Sequence, residues 1–237
     1  MEPAGLAVGV LALAGLFNNA VDCFEYVQVG RNFKKDFTTS ILRLDNAHLR
    51  LSRWGQAVGF GGDLRNVQEL NTTFGSRENA DKVEERMKQI IELFVDAEVV
   101  SNKLESRSPS TTTALQRYNP QTDLAPDMLA LHNKMRELSI ERKNKTTLKQ
   151  KMKWALYEEK HFRRLIEDVI GLVDDLVELF PARPAQKQLC EVEASQLDSD
   201  ATRPVLEEIA KEQDHLLATT IERLYKAQVS SSSIGTR

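Results

Sequence analysis

The chain has 237 residues, of which 41% are hydrophobic, 28% charged and 6% aromatic, with a net charge of −3. This composition excludes a disordered tail or low-complexity scaffold, and it lacks the global basic field of a non-specific nucleic-acid binder, so no nucleic-acid partner is expected. Eleven glycines and seven prolines are few for this length, and the fold class expected is all-α, a multi-helix bundle.

The N-terminus breaks the pattern. No charged residue occurs from Pro3 to Val21, and Ala4 to Phe17 is apolar all round. A secretory signal needs a basic flank, whereas only Met1 and Glu2 precede this run, and Ala12-Leu13-Ala14 alone is a poor cleavage site. A membrane span wants about 20 apolar residues; Pro3 to Val21 supplies 19, with Asn18 and Asn19 among them. A buried core helix is the third reading, because Leu6, Val10, Leu13, Phe17, Ala20, Phe24 and Val27 alternate at helical spacing. One helix over about 4–29 fits best, and its first half has two homes open to it, a protein core or lipid. Gly5 and Gly9 form G-x-x-x-G, a spacing that lets helices approach closely in lipid.

Further helices follow. Phe37, Ile41, Leu44, Ala47, Leu51, Trp54 and Val58 mark one over about 35–58, ended by Gly59-Phe60-Gly61-Gly62. Val83, Met87, Ile90, Phe94 and Ala97 mark another over about 78–104. Ser106 to Asp123 is rich in Ser, Thr and Pro and reads as an exposed loop with room for a short β-hairpin. Helices resume from Pro126 to Phe180 with an interruption at Thr146-Thr147, and Leu165, Val169, Leu172, Leu176 and Leu179 form the cleanest stripe of all. Pro181 and Pro184 end it. Two helices, about 185–197 and 203–227, complete a domain over 1–227, and 228–237 reads as a disordered tail.

Charge is segregated along the chain. Lys134 to Arg164 carries eleven basic and four acidic residues, whereas Leu165 to the C-terminus carries fourteen acidic and seven basic. Arg142, Lys143, Lys145, Lys149, Lys151 and Lys153 run without an intervening acid. They read either as a solvated helical face or as a patch for anionic lipid headgroups.

Catalytic patterns are missing from the sequence. His48, His132, His161 and His215 are scattered singly, and Gly59 to Gly62 lacks the features of a dinucleotide or phosphate loop. Cys23 and Cys190 stand in no redox or zinc motif and fit a reduced intracellular compartment. No catalytic residue, metal or cofactor is expected.

The run Gly15-Leu16-Phe17-Asn18-Asn19-Ala20-Val21-Asp22-Cys23-Phe24-Glu25-Tyr26-Val27, then Gly30-Arg31 and Phe33, strongly resembles the start of the fungal HeLo domain of HET-s/HET-S heterokaryon-incompatibility proteins. Leu42-Arg43-Leu44-Asp45, Leu51-Ser52-Arg53-Trp54-Gly55, Trp154-Ala155-Leu156-Tyr157 and Val173-Asp174-Asp175-Leu176 extend the match to about residues 1–225. The resemblance implies a helical bundle with a short strand pair, no enzymatic activity and a cell-death role. In such domains the N-terminal segment is held in the latent fold and then inserted into membrane to form a pore or disrupt the bilayer. Here that segment corresponds to Ala4, Gly5, Leu6, Gly9, Val10, Leu11, Leu13, Gly15, Leu16 and Phe17. Asn32 falls where the family varies between active and inactive forms. The partners implied are membrane lipids on activation, further copies of the chain, and HeLo-domain or prion-type proteins. The implied location is cytoplasmic when latent and membrane-associated when active. The Asn/Gly/Val-rich prion-forming region of some members has no counterpart here, so the short HeLo-only proteins, the fungal loss-of-pathogenicity protein LopB among them, are the nearer comparison. The alternative is a non-toxic soluble interaction module that kept the bundle.

Overall fold

An apolar helix of 24 residues, α1 (Pro3–Tyr26), opens the chain. The computed structural model describes residues 3–29, 37–61, 74, 76–107, 118–143, 154–156 and 159–232, with the backbone alone for 3–11, 28–29, 104–107, 154–156 and 231–232. Strand β1 (Val27–Val29) follows α1 directly. Then come α2 (Phe37–Val58), α3 (Arg77–Arg107), the single turn α4 (Pro120–Asp123), α5 (Pro126–Glu141) and strand β2 (Trp154–Leu156). The last four helices are α6 (Glu159–Leu179), α7 (Arg183–Leu197), α8 (Arg203–Gln213) and α9 (His215–Ser232).

Helix α2 is the centre of the bundle. Ile41, Leu44, Ala47, Leu51 and Trp54 join a core with α1, α3 and α6, while Leu42 and Leu49 on another face join a second core with α5, α7, α8 and α9. A helix flanked by two cores has little solvent face to give its polar residues, and Asp45, Asn46, His48, Arg50 and Arg53 are all buried. Each must therefore find partners inside the protein.

Three boundaries differ from the sequence pattern. The first helix, expected to about residue 29, stops at Tyr26, because Val27–Val29 pairs in parallel with Trp154–Leu156; alternating β-branched residues favour the extended form. The hairpin expected within 106–123 is not the strand pair found: Arg107 and Pro120–Asp123 are helical, and 108–117 lie outside the described residues. The expected final helix is divided at Asp214, whose Oδ1 accepts the Leu217 N–H at 3.2 Å and so caps a new helix, α9. That helix continues beyond 227 to Ser232, and 233–237 lie outside the described residues.

The end of α2 shapes its surroundings. Gly59, at φ 98°, adopts the left-handed conformation that glycine tolerates. Its N–H bonds the Gln56 carbonyl at 3.1 Å, and the Phe60 N–H bonds the Gly55 carbonyl at 2.7 Å. These two bonds are those of a Schellman C-cap, and they turn Phe60 back into the core. Its ring stacks on Phe17 at 5.8 Å and on Phe74 at 5.4 Å, and Phe74 meets Phe180 edge-on at 4.9 Å.

Candidate functional site

The feature that carries functional information is the seat of α1. Leu13 is 2% exposed, and Ala14, Phe17, Ala20 and Val21 are 0% exposed. The helix packs most extensively on α3 and next on α2. Its cover is thus α3 together with the apolar stripe of α2. Phe17 crosses α2 at Gly55, where an added Cβ would fall 2.1 Å from Phe17 Cε2. Glycine is required at that crossing by the ring itself.

The C-terminal turn of α1 is held by charge. Lys143 donates to Asp22, and Arg136 Nη2 donates to Glu25 Oε2 at 2.6 Å. Both cations come from α5 or the residues just after it. His48 stacks on Phe24 with ring centroids 4.7 Å apart, and its Nδ1 lies 3.9 Å from Glu25 Oε1. Burial, reinforced by the positive charges of Arg136 and Lys143, holds the His48 pKa well below the ordinary 6.5, although a bond with the Val21 backbone opposes the shift. One helical turn away on α2, Asp45 Oδ2 lies 2.6 Å from His132 Nδ1. Burial raises the Asp45 pKa, and the contact with His132 restrains that rise.

A second polar cluster joins α2 to the C-terminal helices. Arg53 Nη2 donates to Asp214 Oδ2 at 2.6 Å, and Arg53 Nη1 donates to Glu193, which also accepts from Arg142. Burial alone would lower the Arg53 pKa, but the Asp214 and Glu193 carboxylates outweigh it and raise the value. Cys190 lies 3.4 Å from Arg53 Nη1, and burial pushes its thiol up to about 12, so it is no ready nucleophile. Among the described residues, no group of His, Cys, Asp and Glu is placed to hold a metal ion.

The structure places the sequence candidates unevenly. Leu13 and Phe17 are buried, and Gly15 and Leu16 are partly buried; the side chains of Ala4, Gly5, Leu6, Gly9, Val10 and Leu11 lie outside the described residues, as does Asn32. Arg142 is 6% exposed and Lys143 is bound to Asp22, so these two serve the interior. Lys145, Lys149, Lys151 and Lys153 lie outside the described residues. Sequence reading missed Glu25 and Arg136, whose bond spans 111 positions, and Tyr118, buried against Phe37. Only the acidic end of an otherwise uncharged helix hinted at the first pair.

These observations define a helical bundle that stows an apolar N-terminal helix. Residues 5–204 match the family model HeLo, described as prion-inhibition and propagation, and the chain belongs to the HeLo family. It is 36% identical over 213 residues, 88% of this chain and 70% of the relative, to heterokaryon incompatibility protein s of Podospora anserina. Heterokaryon incompatibility protein S of the same organism matches at the same identity and coverage. The solved HET-s N-terminal domain superposes with a TM-score of 0.78 at 32% identity, covering 92% of this chain and 98% of that one. A doubly substituted form of that domain gives 0.77 at 31% identity, over 89% and 97% of the two chains.

Proposed function

We propose that this chain is a latent membrane-active HeLo domain of the cell-death type, whose N-terminal helix leaves its seat and enters a bilayer. The observation that carries the reading is α1 itself. Leu13, Ala14, Phe17, Ala20 and Val21 are buried where it packs on α2 and α3, yet it has no charge before Asp22. Pro3 to Val21 as a helix is about 28 Å long at 1.5 Å per residue, close to the roughly 30 Å hydrocarbon core. Core and bilayer are rival homes for one apolar surface, and any event that loosens the seat shifts the balance between them. Lys145, Lys149, Lys151 and Lys153 are the headgroup contacts proposed for the inserted state. Membrane lipids, further copies of the chain and other HeLo-domain or prion-type proteins are the partner classes. HeLo domains are generally non-catalytic, and the proposal assigns this chain no reaction.

A second reading has its own support in the seat itself: Phe17, Ala20 and Val21 are fully covered, as in an ordinary core helix. On that reading the domain is a soluble interaction module and α1 is only a core helix. Vesicle leakage decides between them. The full chain should permeabilise vesicles, whereas removal of residues 1–21 or Leu11→Lys should abolish leakage, since a lysine at the bilayer centre costs about 2.5–3.5 kcal/mol. No leakage from the full chain would favour the interaction module, and leakage that survives either change would show that α1 is not the inserting segment.

A further inference from the structure

Away from α1, a cavity of about 660 Å³ opens between α2, the α6–α7 turn and the start of α9. Its cationic lining residues are Arg50, Arg53, Arg183 and Lys187, and its acidic ones are Glu178 and Asp214. Arg50 is 8% exposed and Arg53 1%. Arg50 Nη2 is bound to Asp174 at 2.7 Å, but Arg50 Nε and Nη1 and Arg53 Nε have no hydrogen-bond partner. Buried donors without acceptors are costly, so these side chains are suited to receive an acceptor from the cavity.

The rim adds further donors. Arg183 and Lys187 are exposed and have no ion-pair partner among the described residues. Both sit in the first turns of the 15-residue helix α7, whose N-terminus has no side-chain cap. Uncapped N–H groups and the positive end of the helix dipole favour an anion there. Asp214 Oδ1 lies 3.9 Å from Arg50 Nε, beyond hydrogen-bond reach, and its two oxygens are engaged by Arg53 and the Leu217 N–H. Arg50 is paired with Asp174 and Arg53 with Asp214 and Glu193, so the charge left to attract a ligand is that of Arg183 and Lys187 on the rim, set against Glu178.

We propose that this cavity binds a phosphomonoester group, with Arg50 and Arg53 as its floor and Arg183, Lys187 and the α7 N-terminus as its rim. The group belongs either to a free phosphate compound or to a lipid headgroup. A ligand there would bridge α2, α6, α7 and α9 and stabilise the bundle by mass action.

The test titrates the full chain with inorganic pyrophosphate at matched ionic strength. In parallel, it floats the chain with phosphatidylcholine vesicles containing phosphatidic acid or, as a non-phosphomonoester anion, phosphatidylserine. Arg183→Ala with Lys187→Ala removes only exposed side chains, and circular dichroism checks that the helices remain. Lys160→Ala with Arg164→Ala removes the same charge from the far end of α6. The first pair should weaken binding by about tenfold or more and the second by less than about twofold, as expected of directional charge-assisted bonds rather than a diffuse field. Pyrophosphate binding with this pattern supports the site and a free ligand. Binding confined to phosphatidic acid vesicles with this pattern supports the site and a headgroup. No binding in either arm, equal effects of the two pairs, or equal binding to phosphatidylserine would overturn the proposal.

Discussion

Phe17 rests on α2 at the one place where Gly55 presents no side chain, and a Cβ there would stand 2.1 Å from the ring. Alanine is about 1 kcal/mol better than glycine inside a helix, so local propensity alone predicts that Gly55→Ala stabilises the protein. The crossing predicts the opposite sign. Phe17 is 0% exposed and is packed against Phe60, which fixes it on the other side. Gly55→Ala should cost about 1–3 kcal/mol in chemical denaturation, the usual penalty of overpacking. Adding Phe17→Ala should cost less in the Gly55→Ala background than in the native one, because the two sites share a contact. A stabilising Gly55→Ala would refute the crossing.

The helical stripes were legible because the apolar period of α2, α3 and α6 follows directly from the face each one buries. The status of α2 was not. Its spacing reads as an ordinary amphipathic helix, but Arg50 and Arg53 lie on a face covered by the acidic C-terminal helices. Periodicity reports apolar burial and is silent on charges neutralised by residues 124–161 positions away. For the same reason the basic run from Arg142 to Lys153 does not announce that its first two members are paired with Glu193 and Asp22. Nothing in its spacing separates Arg142, which is bound to Glu193, from its neighbours. The seat of α1 was legible as an apolar helix needing cover, while the cover that α3 gives it depends on tertiary geometry that no local pattern encodes.

Glu193 is 0% exposed and accepts from both Arg53 and Arg142. Glu193→Gln keeps the size of the side chain and removes the charge, leaving two buried guanidinium groups to share what remains. The expected loss is about 3–5 kcal/mol, as for a broken buried pair. Its neighbour Glu191 offers an internal control. That residue is bound to Arg223 at 2.6 Å, but the two side chains are 41% and 54% exposed, so Glu191→Gln should change stability by about 1 kcal/mol or less. Urea denaturation of the two variants measures the contrast, and similar midpoints would contradict it.

Acidification should loosen the polar end of α1. His48 has a folded-state pKa below its ordinary 6.5, so between those values the unfolded chain binds a proton that the native protein refuses. Stability therefore rises with pH across this window and is lost as pH falls below about 6.5, by at most about 1.4 kcal/mol per pH unit for one group. Asp45 acts with the opposite sign, in a window that opens near 3.8. Its folded pKa lies above 3.8, so its contribution to stability declines as pH rises from about 3.8 through that raised value. His48→Phe retains a ring against Phe24 and cannot titrate. Denaturation midpoints measured from pH 7 to pH 5 should fall in the native protein and flatten in this variant; equal slopes would remove His48 as the cause.

The bonds from Arg136 to Glu25 and from Lys143 to Asp22 tie α1 to the end of α5. The four side chains are 11–29% exposed, so each bond should contribute about 1 kcal/mol or less to global stability. Their position gives them a larger effect on one local event, departure of α1, because both must break before that helix can leave. Arg136→Gln with Lys143→Gln should lower the denaturation midpoint modestly and raise vesicle leakage relative to the native chain. Raised salt during the approach to the membrane should screen the native pairs and narrow the difference between the two proteins. The double variant separates two ideas that deletion of α1 cannot. If leakage rises and the bundle remains folded, the ion pairs are a latch on a membrane segment. If stability falls while leakage is unchanged, the pairs serve the fold alone, and the gate on α1 must lie in the apolar contacts around Phe17.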